Sequence, residues 1–425
     1  MKKLLFAILF SAIFFTLSAK QWTLDECVEY ALKNSKTIRT QMENFTADSA
    51  RVKAAKSVFY PDLSARANTG FSGTPFSQPD TDPTGTILMS LSSGVVIFDG
   101  RKNTNRLESA KKLLEQDEFS LEISKKDVIS AISRAYISLL YAGENLKNAE
   151  QASELAQKQF EYQQVRAEIG SATQLSITQS RAQASRVRYS QTIAQNSFNT
   201  ALLQIKQLLD LPTTEDFEIV YFETDLTDSS DLSSQDIFEQ NKNNFVEIKS
   251  ARMSVEIADI SLSISKAGKI PTLSASAGIS TGLNSNSDNT ANEQIRDRFS
   301  PSIGLSLNIP IVDNKSTKSA TIISKTMLNK AKIALETAEQ SVRSQIEQLV
   351  GDIEAARSRF SAADEQYSAE SENMKTIEEM QNLGNITPID YASQQNNFLS
   401  AQSELTQAKY SLMLANKLLE VYLGN

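Results

Sequence analysis

The side chains that most often carry chemistry are almost missing from this sequence. Histidine is absent, and cysteine occurs once, as Cys27. That removes the commonest general base and metal ligand, and with it His-dependent triads, most zinc sites and any disulfide within the chain. No glycine-rich phosphate loop is present either, so neither an enzyme nor a bound cofactor or metal is expected. Carboxylates remain. Three stand at marked positions: Asp99 in "VIFDG", Asp313 in "PIVDN", and Asp390 just after "LGNITPI". Each lies at the start of a long stretch with helical spacing. An acid there accepts backbone N–H groups and meets the positive end of the helix dipole. The chemistry on offer is a fixed charge at a helix start, and its use depends on what the surrounding elements build.

Those elements first need a compartment. Met1-Lys2-Lys3 is a basic start, Leu4 to Leu17 is nearly all apolar, and Ser18-Ala19 offers small residues for cleavage. Residues 1–19 therefore read as a secretory signal peptide. Cys27 in "LDEC" lacks the small residue expected before a lipidated cysteine, and reads as a small, part-buried helix residue. Without Lys2 and Lys3 the balance is 41 basic to 51 acidic residues. That argues against nucleic acid as a partner. After the leader no run approaches the roughly 20 apolar residues of a helical membrane span. A β-barrel is not excluded, because its strands hide their apolarity by alternation.

The chain repeats itself. Glu29, Asn34, Ile38, Lys56 and Pro61 recur 210 residues on as Glu239, Asn244, Ile248, Lys266 and Pro271. From "VIFDG" and "PIVDN" onward the offset is 214, and it stays 214 at "IGSATQL" and "LGNITPI". Four extra residues therefore sit in "TGLNSNSDNTANEQIRDRFSP", a polar stretch expected to be a loop, as is its counterpart "SGTPFSQPDTDPTG". Two copies are predicted, at 20–211 and 236–425, each reading helix, strand, strand, long helix, tight turn, helix. Residues 212–235 between them are strongly acidic around a short strand-like "FEIVYF", and read as a solvated connector.

Strands are expected at about 62–72, 86–98, 272–282 and 301–312. Leu63, Ala65, Ala67, Thr69 and Phe71 alternate with Ser64, Arg66, Asn68 and Gly70. Leu273, Ala275, Ala277 and Ile279 do the same against Ser274, Ser276, Gly278 and Ser280. The return strands keep Met89, Leu91, Val95 and Ile97, and Ile303 through Ile311, in phase. Strands of about ten residues with period two suit a membrane barrel. Pro61 and Pro271 mark helix-to-strand joints, because the residue before a proline leaves the α region and a strand's first residue tolerates the missing N–H. Asp99-Gly100 and Asp313-Asn314 mark the reverse joints, each with a residue tolerant of positive φ beside an acid.

Proline is absent from Arg101 to Ile169 and from Lys315 to Leu383, which predicts two helices of roughly 70 residues, each about 100 Å long at 1.5 Å per residue. Steps of four and three along Val342, Ile346, Leu349, Ile353, Ala356 and Phe360, and along Phe398 to Tyr422, are those of a coiled coil. Many seam positions are Ala, Ser, Gln or Thr. Such thin seams need partners on both sides, which predicts an oligomer.

The order "WTLDECVEYALKNS", two Pro-led strands, "GVVIFDGRKNTNRLESAK" with its echo "GLSLNIPIVDNKSTKSA", and the paired turns "IGSATQLSITQSRAQ" and "LGNITPIDYASQQNN" resembles the TolC-like outer-membrane efflux family over the whole mature chain. The resemblance implies a mainly α fold with a small β part. Three protomers would give four strands each to a 12-stranded outer-membrane β-barrel, continued by a periplasmic α-helical barrel. It implies a homotrimer in the outer membrane of a Gram-negative bacterium, in contact with outer-membrane lipid. There it would be a passive exit duct of a tripartite efflux or type I secretion system, working with a periplasmic adaptor (membrane fusion) protein and an inner-membrane transporter. It assigns adaptor docking to the hairpin tips near 170 and 384, at Gly170, Ser171, Thr173, Gly384, Asn385 and Thr387. The two glycines have a purely structural role open to them, as left-handed helix caps. It also places Asp390 at the pore constriction, where the residue-level reading is a first-turn acid. At the family's second acidic position this chain has Ser393, and where a basic residue often braces the tip it has Ile386. The other reading of the same helices is a periplasm-spanning coiled-coil scaffold without a pore.

Overall fold

The computed structural model describes residues 21–73, 83–221, 233–383 and 385–424. The leader expected at 1–19, much of the first loop, part of the connector and Gly384 lie outside the described residues. In chain order the elements are β1 (Gln21–Trp22), α1 (Leu24–Asn34), α2 (Lys36–Ser57), β2 (Ser64–Ser72), β3 (Thr84–Phe98), α3 (Lys102–Glu168), α4 (Gln174–Leu208) and β4 (Glu218–Ile219). There follow α5 (Ser234–Asn241), α6 (Val246–Lys266), β5 (Thr272–Asn284), α7 (Ala291–Asp297), β6 (Ser300–Asn308), α8 (Ser316–Asn382) and α9 (Pro388–Leu423). The fold is mainly helical with a small sheet part. It divides into two compact units, residues 1–40, 122–242 and 342–425, and residues 41–121 and 243–341.

In the first unit, α1 opens with a capping box. Thr23 Oγ1 accepts the Glu26 N–H at 3.2 Å, and Glu26 Oε2 accepts the Thr23 N–H at 3.0 Å. Behind it Trp22 stacks on Phe217, ring centroids 5.7 Å apart, and meets Tyr30 edge-on at 5.3 Å. The fully buried Tyr136 hydroxyl lies 2.7 Å from the Val220 carbonyl and 3.1 Å from that of Trp22. It thereby clips together the parallel pair β1–β4. The start of the connector is therefore anchored rather than merely solvated, and Lys206 Nζ holds it further by donating to the Thr213 and Glu215 carbonyls. Cys27 is wholly buried in this core. The α8–α9 seam puts Leu349, Ile353 and Ala356 against Leu412, Ala415 and Leu419. A thinner seam of Ala152, Ala156, Ala184 and Val187 joins α3 to α4.

The second unit carries an antiparallel sheet of order β2-β3-β5-β6. Its register sorts the residues into two faces. One face has the rows Ala67–Met89–Thr281 and Ala65–Leu91–Ile279, with Ala277 opposite Ile303 and Ala275 opposite Leu305. The other has Ser64–Ser92–Gly278–Ser302 and Arg66–Ser90–Ser280–Ser300. Among the described residues no helix covers the β6 part of the apolar face, where Ile303 is 91% exposed and Leu305 72%. Helix α7 touches the same face at Thr281, whose hydroxyl donates to the Ile295 carbonyl at 2.7 Å. A bulge between Val96 and Phe98 sets Phe98, not Ile97, opposite Leu273, so the expected phase of Ile97 fails. The last strand stops at Asn308, short of the expected 312. Its partner Thr272 follows Pro271, which has no N–H to extend the ladder, and Pro310 lacks one too. Within the segment expected to be a loop, α7 forms on a Thr290/Glu293 capping box. Gln294 then accepts the Asn284 N–H at 2.7 Å, holding α7 to the end of β5.

Polar contacts mark the packing of α3 against α2 and α6 in this unit. Lys112 bridges Glu115 and Glu256, and Gln116 donates to Ser254 at 2.6 Å. Asp48 pairs with Arg51 and shares a hydrogen bond with Asp117. Burial first, then that bond with Asp48, raises the Asp117 carboxyl above its ordinary value.

Candidate functional site

The α3–α4 turn is built by its backbone. Gly170 takes φ +75°, a left-handed value that glycine adopts without strain, and nothing crowds the place where a Cβ would be. The Ser171 N–H then reaches back to the Arg166 carbonyl at 2.7 Å and the Gly170 N–H to that of Ala167 at 2.9 Å, closing a Schellman motif. Ser171 Oγ donates to the same Arg166 carbonyl at 2.9 Å, and Arg166 lies over the Tyr162 ring. Thr173 caps α4 by accepting the Ser176 N–H at 3.2 Å.

The α8–α9 turn repeats this design. The Asn385 N–H reaches the Met380 carbonyl at 2.9 Å, and Thr387 caps α9 by accepting the Asp390 N–H at 3.2 Å. Asp390 occupies the position that Ser176 holds in the first turn. The Thr387 hydroxyl donates to Asp390 Oδ2 at 2.6 Å, so the carboxylate is fixed at a helix start and remains exposed. Ile386 and Ser393 flank it without adding charge. The two hairpins lie side by side just behind their turns. Gln381 donates to Gln159 at 2.8 Å and Gln183 to Asn396 at 2.9 Å.

A cavity of about 370 Å³ opens beside these bonds, between α4 and α9. Gln183, Arg186, Tyr391 and Gln395 are in its wall. Burial pushes the Tyr391 hydroxyl up to about 12. Gln395 is 1% exposed, and its amide nitrogen has no hydrogen-bond partner among the described residues. Sequence reasoning did not single out this cavity. A glutamine at a seam spacing is the one signal that could have drawn attention to it, since a buried amide wants partners.

The joints form a second group. Asp99 Oδ2 accepts the Asn103 N–H at 2.8 Å and Asp313 Oδ2 the Thr317 N–H at 2.8 Å, one at the start of each long helix. The Thr317 hydroxyl and N–H hold the Asp313 carboxyl below its ordinary range. Between acid and helix, Gly100 and Arg101 take φ 68° and 70°, and Asn314 and Lys315 take 49° and 68°. A Cβ on Gly100 would sit 2.7 Å from Ile270, so this joint admits glycine on space as well as angle. Pro61 lies in the link ahead of β2, which begins three residues later, whereas Pro271 directly precedes β5. Among the described residues the structure thus brings together Gly170, Ser171 and Thr173 at one turn and Asn385 and Thr387 at the other, and it sets Gly100 of the first copy against Ile270, next to Pro271 of the second. Among the described residues no cluster of His, Cys, Asp or Glu is arranged to hold a metal.

Comparison with known proteins gives the same two-part pattern. Residues 27–210 and 238–425 match the family described as outer membrane efflux protein, one block for each copy of the repeat. Outer membrane protein TolC of Vibrio cholerae serotype O1 is 23% identical over 424 residues, covering 98% of this chain and 94% of that protein. Outer membrane efflux protein BepC of Brucella suis biovar 1 is 22% identical over 400 residues, covering 93% of this chain and 83% of that protein. The structure of the Campylobacter jejuni CmeC outer membrane channel superposes with a TM-score of 0.80 at 16% identity, covering 94% of this chain and 85% of that one.

Proposed function

The chain belongs to the outer membrane efflux protein family, and from that premise we propose that it is the outer-membrane exit duct of a tripartite efflux or type I secretion system. Three protomers close their sheets into one 12-stranded barrel, and their helices continue it as a periplasmic tube. Solutes pass through passively, with energy supplied by an inner-membrane transporter through a periplasmic adaptor. The tips at Gly170, Ser171, Thr173, Gly384, Asn385 and Thr387 dock the adaptor, and three copies of Asp390 form the constriction. Residues 20–211 and 236–425 are the two copies of the ancestral unit, joined by the acidic connector 212–235.

One observation carries this reading. The four-stranded sheet exposes a largely apolar face, and among the described residues its edge strands β2 and β6 each pair on one side only. In water such a sheet is an aggregation site; in a bilayer, three of them closed edge to edge satisfy every strand and give the apolar face its solvent. Exposed Ile322, Ile323, Met327 and Ile333 on α8, and Tyr189 and Ile193 on α4, support further burial between protomers.

The test is outer-membrane fractionation followed by electrophoresis of unheated and heated samples. A band in the outer-membrane fraction that moves from trimer to monomer on boiling is expected. A protease-resistant monomer in the periplasmic fraction would overturn the proposal.

A further inference from the structure

Among the described residues, the four strands of the sheet hold a single formal charge, Arg66. It lies on the face opposite the apolar one, in a row whose other members are Ser90, Ser280 and Ser300. The adjacent row is Ser64, Ser92, Gly278 and Ser302. These short side chains leave the guanidinium exposed, with no ion-pair or hydrogen-bond partner among the described residues. The acid nearest in sequence, Asp62, already accepts the Gly94 N–H through Oδ1 at 2.6 Å. An arginine stays charged at every working pH. Its sign also opposes the chain's formal net charge of −8.

An isolated arginine on an exposed strand face is ordinarily just solvated. Here its surroundings differ, on the proposed reading. If the apolar face meets lipid, the Ser/Gly face with Arg66 lines the lumen, and threefold repetition makes a ring of three guanidinium groups. Low-dielectric walls focus the field of such a ring into the water between them, and charged rings set the ion preference of channels. We propose that Arg66 is a specificity-determining residue of the conduit, biasing its β-barrel part toward anionic solutes. The inference rests on the trimeric-barrel reading and adds to it the charge class that this segment favours.

The test introduces one thiol. Cys27 is wholly buried, so in Arg66→Cys a hydrophilic thiol reagent meets a single reachable thiol. Reversal potentials are recorded in planar bilayers under a salt gradient, in the Asp390→Asn background so that a second charged ring does not add its own bias. Arg66→Cys is expected to lower the anion-to-cation permeability ratio about twofold or more at ~10 mM salt, where the Debye length is about 30 Å, and to leave it unchanged at 1 M, where it is about 3 Å. A cationic aminoethyl thiosulfonate adduct should restore the parent value, and an anionic sulfonatoethyl adduct should push it further from that value. Identical reversal potentials for the free thiol and both adducts would overturn the inference, as would a thiol reached only by lipid-soluble reagents. Should Arg66→Cys fail to assemble, Arg66→Gln supplies the same reversal-potential measurement, and no shift there is equally fatal. A parent protein that forms no channel at all would instead bring down the barrel reading, and this inference with it.

Discussion

Replacing Ile303 by lysine separates a bilayer-facing strand from a water-exposed one more sharply than any other single change. Ile303 is 91% exposed in the protomer and pairs with Ala277. That register sets it near the middle of both β5 and β6, on the apolar face. If water met that face, the change would fall among ordinary surface substitutions, within about ±0.5 kcal/mol. If lipid meets it, a lysine near the midplane costs about 2–4 kcal/mol in each protomer, and on the order of 6–12 kcal/mol for three copies. Even the lowest single-copy figure corresponds to roughly a thirtyfold loss of assembled protein at equilibrium. The neighbouring Ser302 pairs with Gly278 on the other face, so Ser302→Lys is the control. Leu307 pairs with Leu273, beside the strand-to-helix joint; a lysine there lies near an interface, where the cost falls to about 0–1 kcal/mol. The assay is the amount of heat-modifiable trimer in the outer membrane. The expected order of loss is Ile303→Lys, then Leu307→Lys, with Ser302→Lys close to the parent. Equal assembly of the Ile303 and Ser302 variants, or equal failure, would refute the assignment of faces.

Leu412, 1% exposed in the α8–α9 seam, gives a second prediction. Truncating a buried leucine costs about 2–5 kcal/mol and an unpaired buried charge adds to that, so Leu412→Asp should open the helices to proteolysis; a parent-like digestion pattern would count against the seam. Asp390→Asn keeps an acceptor for the Thr387 hydroxyl and removes the charge, so block of conductance by trivalent cations should be lost. Thr387→Ala removes the cap, about 1 kcal/mol of stability, and should leave that block in place; block that survives Asp390→Asn would leave Asp390 a helix-start acid only. Asp117 gives a fourth prediction, because the folded chain holds its proton more tightly than the unfolded chain does. Stability therefore falls as pH rises from the unfolded value through the folded one and is flat above it. Asp117→Asn should melt higher at pH 7 and lack that slope, and a lower Tm would contradict the raised carboxyl.

Period was legible in the sequence, and long-range partnership was not. Alternation at 272–282 points to a strand because each side chain reports its own face, and β5 runs Thr272–Asn284. Helical spacing without proline works the same way over Lys102–Glu168. The bulge at Ile97 is different, since only the partner strand decides which residue is left over. The pair β1–β4 depends on a tyrosine hydroxyl more than eighty residues from one end and more than one hundred from the other. No local pattern announces such a clip. Helix α7 was within reach, because Thr290 and Glu293 have the spacing of a capping box, but the polar run around them suggested a loop. At the candidate site, the caps at Gly170, Thr173 and Thr387 follow from residue type. The unpaired Gln395 amide needed the packing of α4 against α9 to be seen.

The strand order has a consequence for time rather than for shape. The central ladder joins β3 to β5, pairing Ser90 with Ser280, whereas β2–β3 and β5–β6 join strands adjacent in sequence. Closing so long a stretch of chain adds only about 0.6 kcal/mol for each doubling of its length, so the finished sheet loses little by it. Its rate is another matter, because distant pairings form slowly. A chain delivered from its N-terminus makes the first hairpin early, and β3 must then wait, one edge bare, until the second copy arrives. Protection of that edge during export is therefore a requirement written into the order of the strands, and a delay in delivering the second half should be more damaging than an equal delay anywhere earlier.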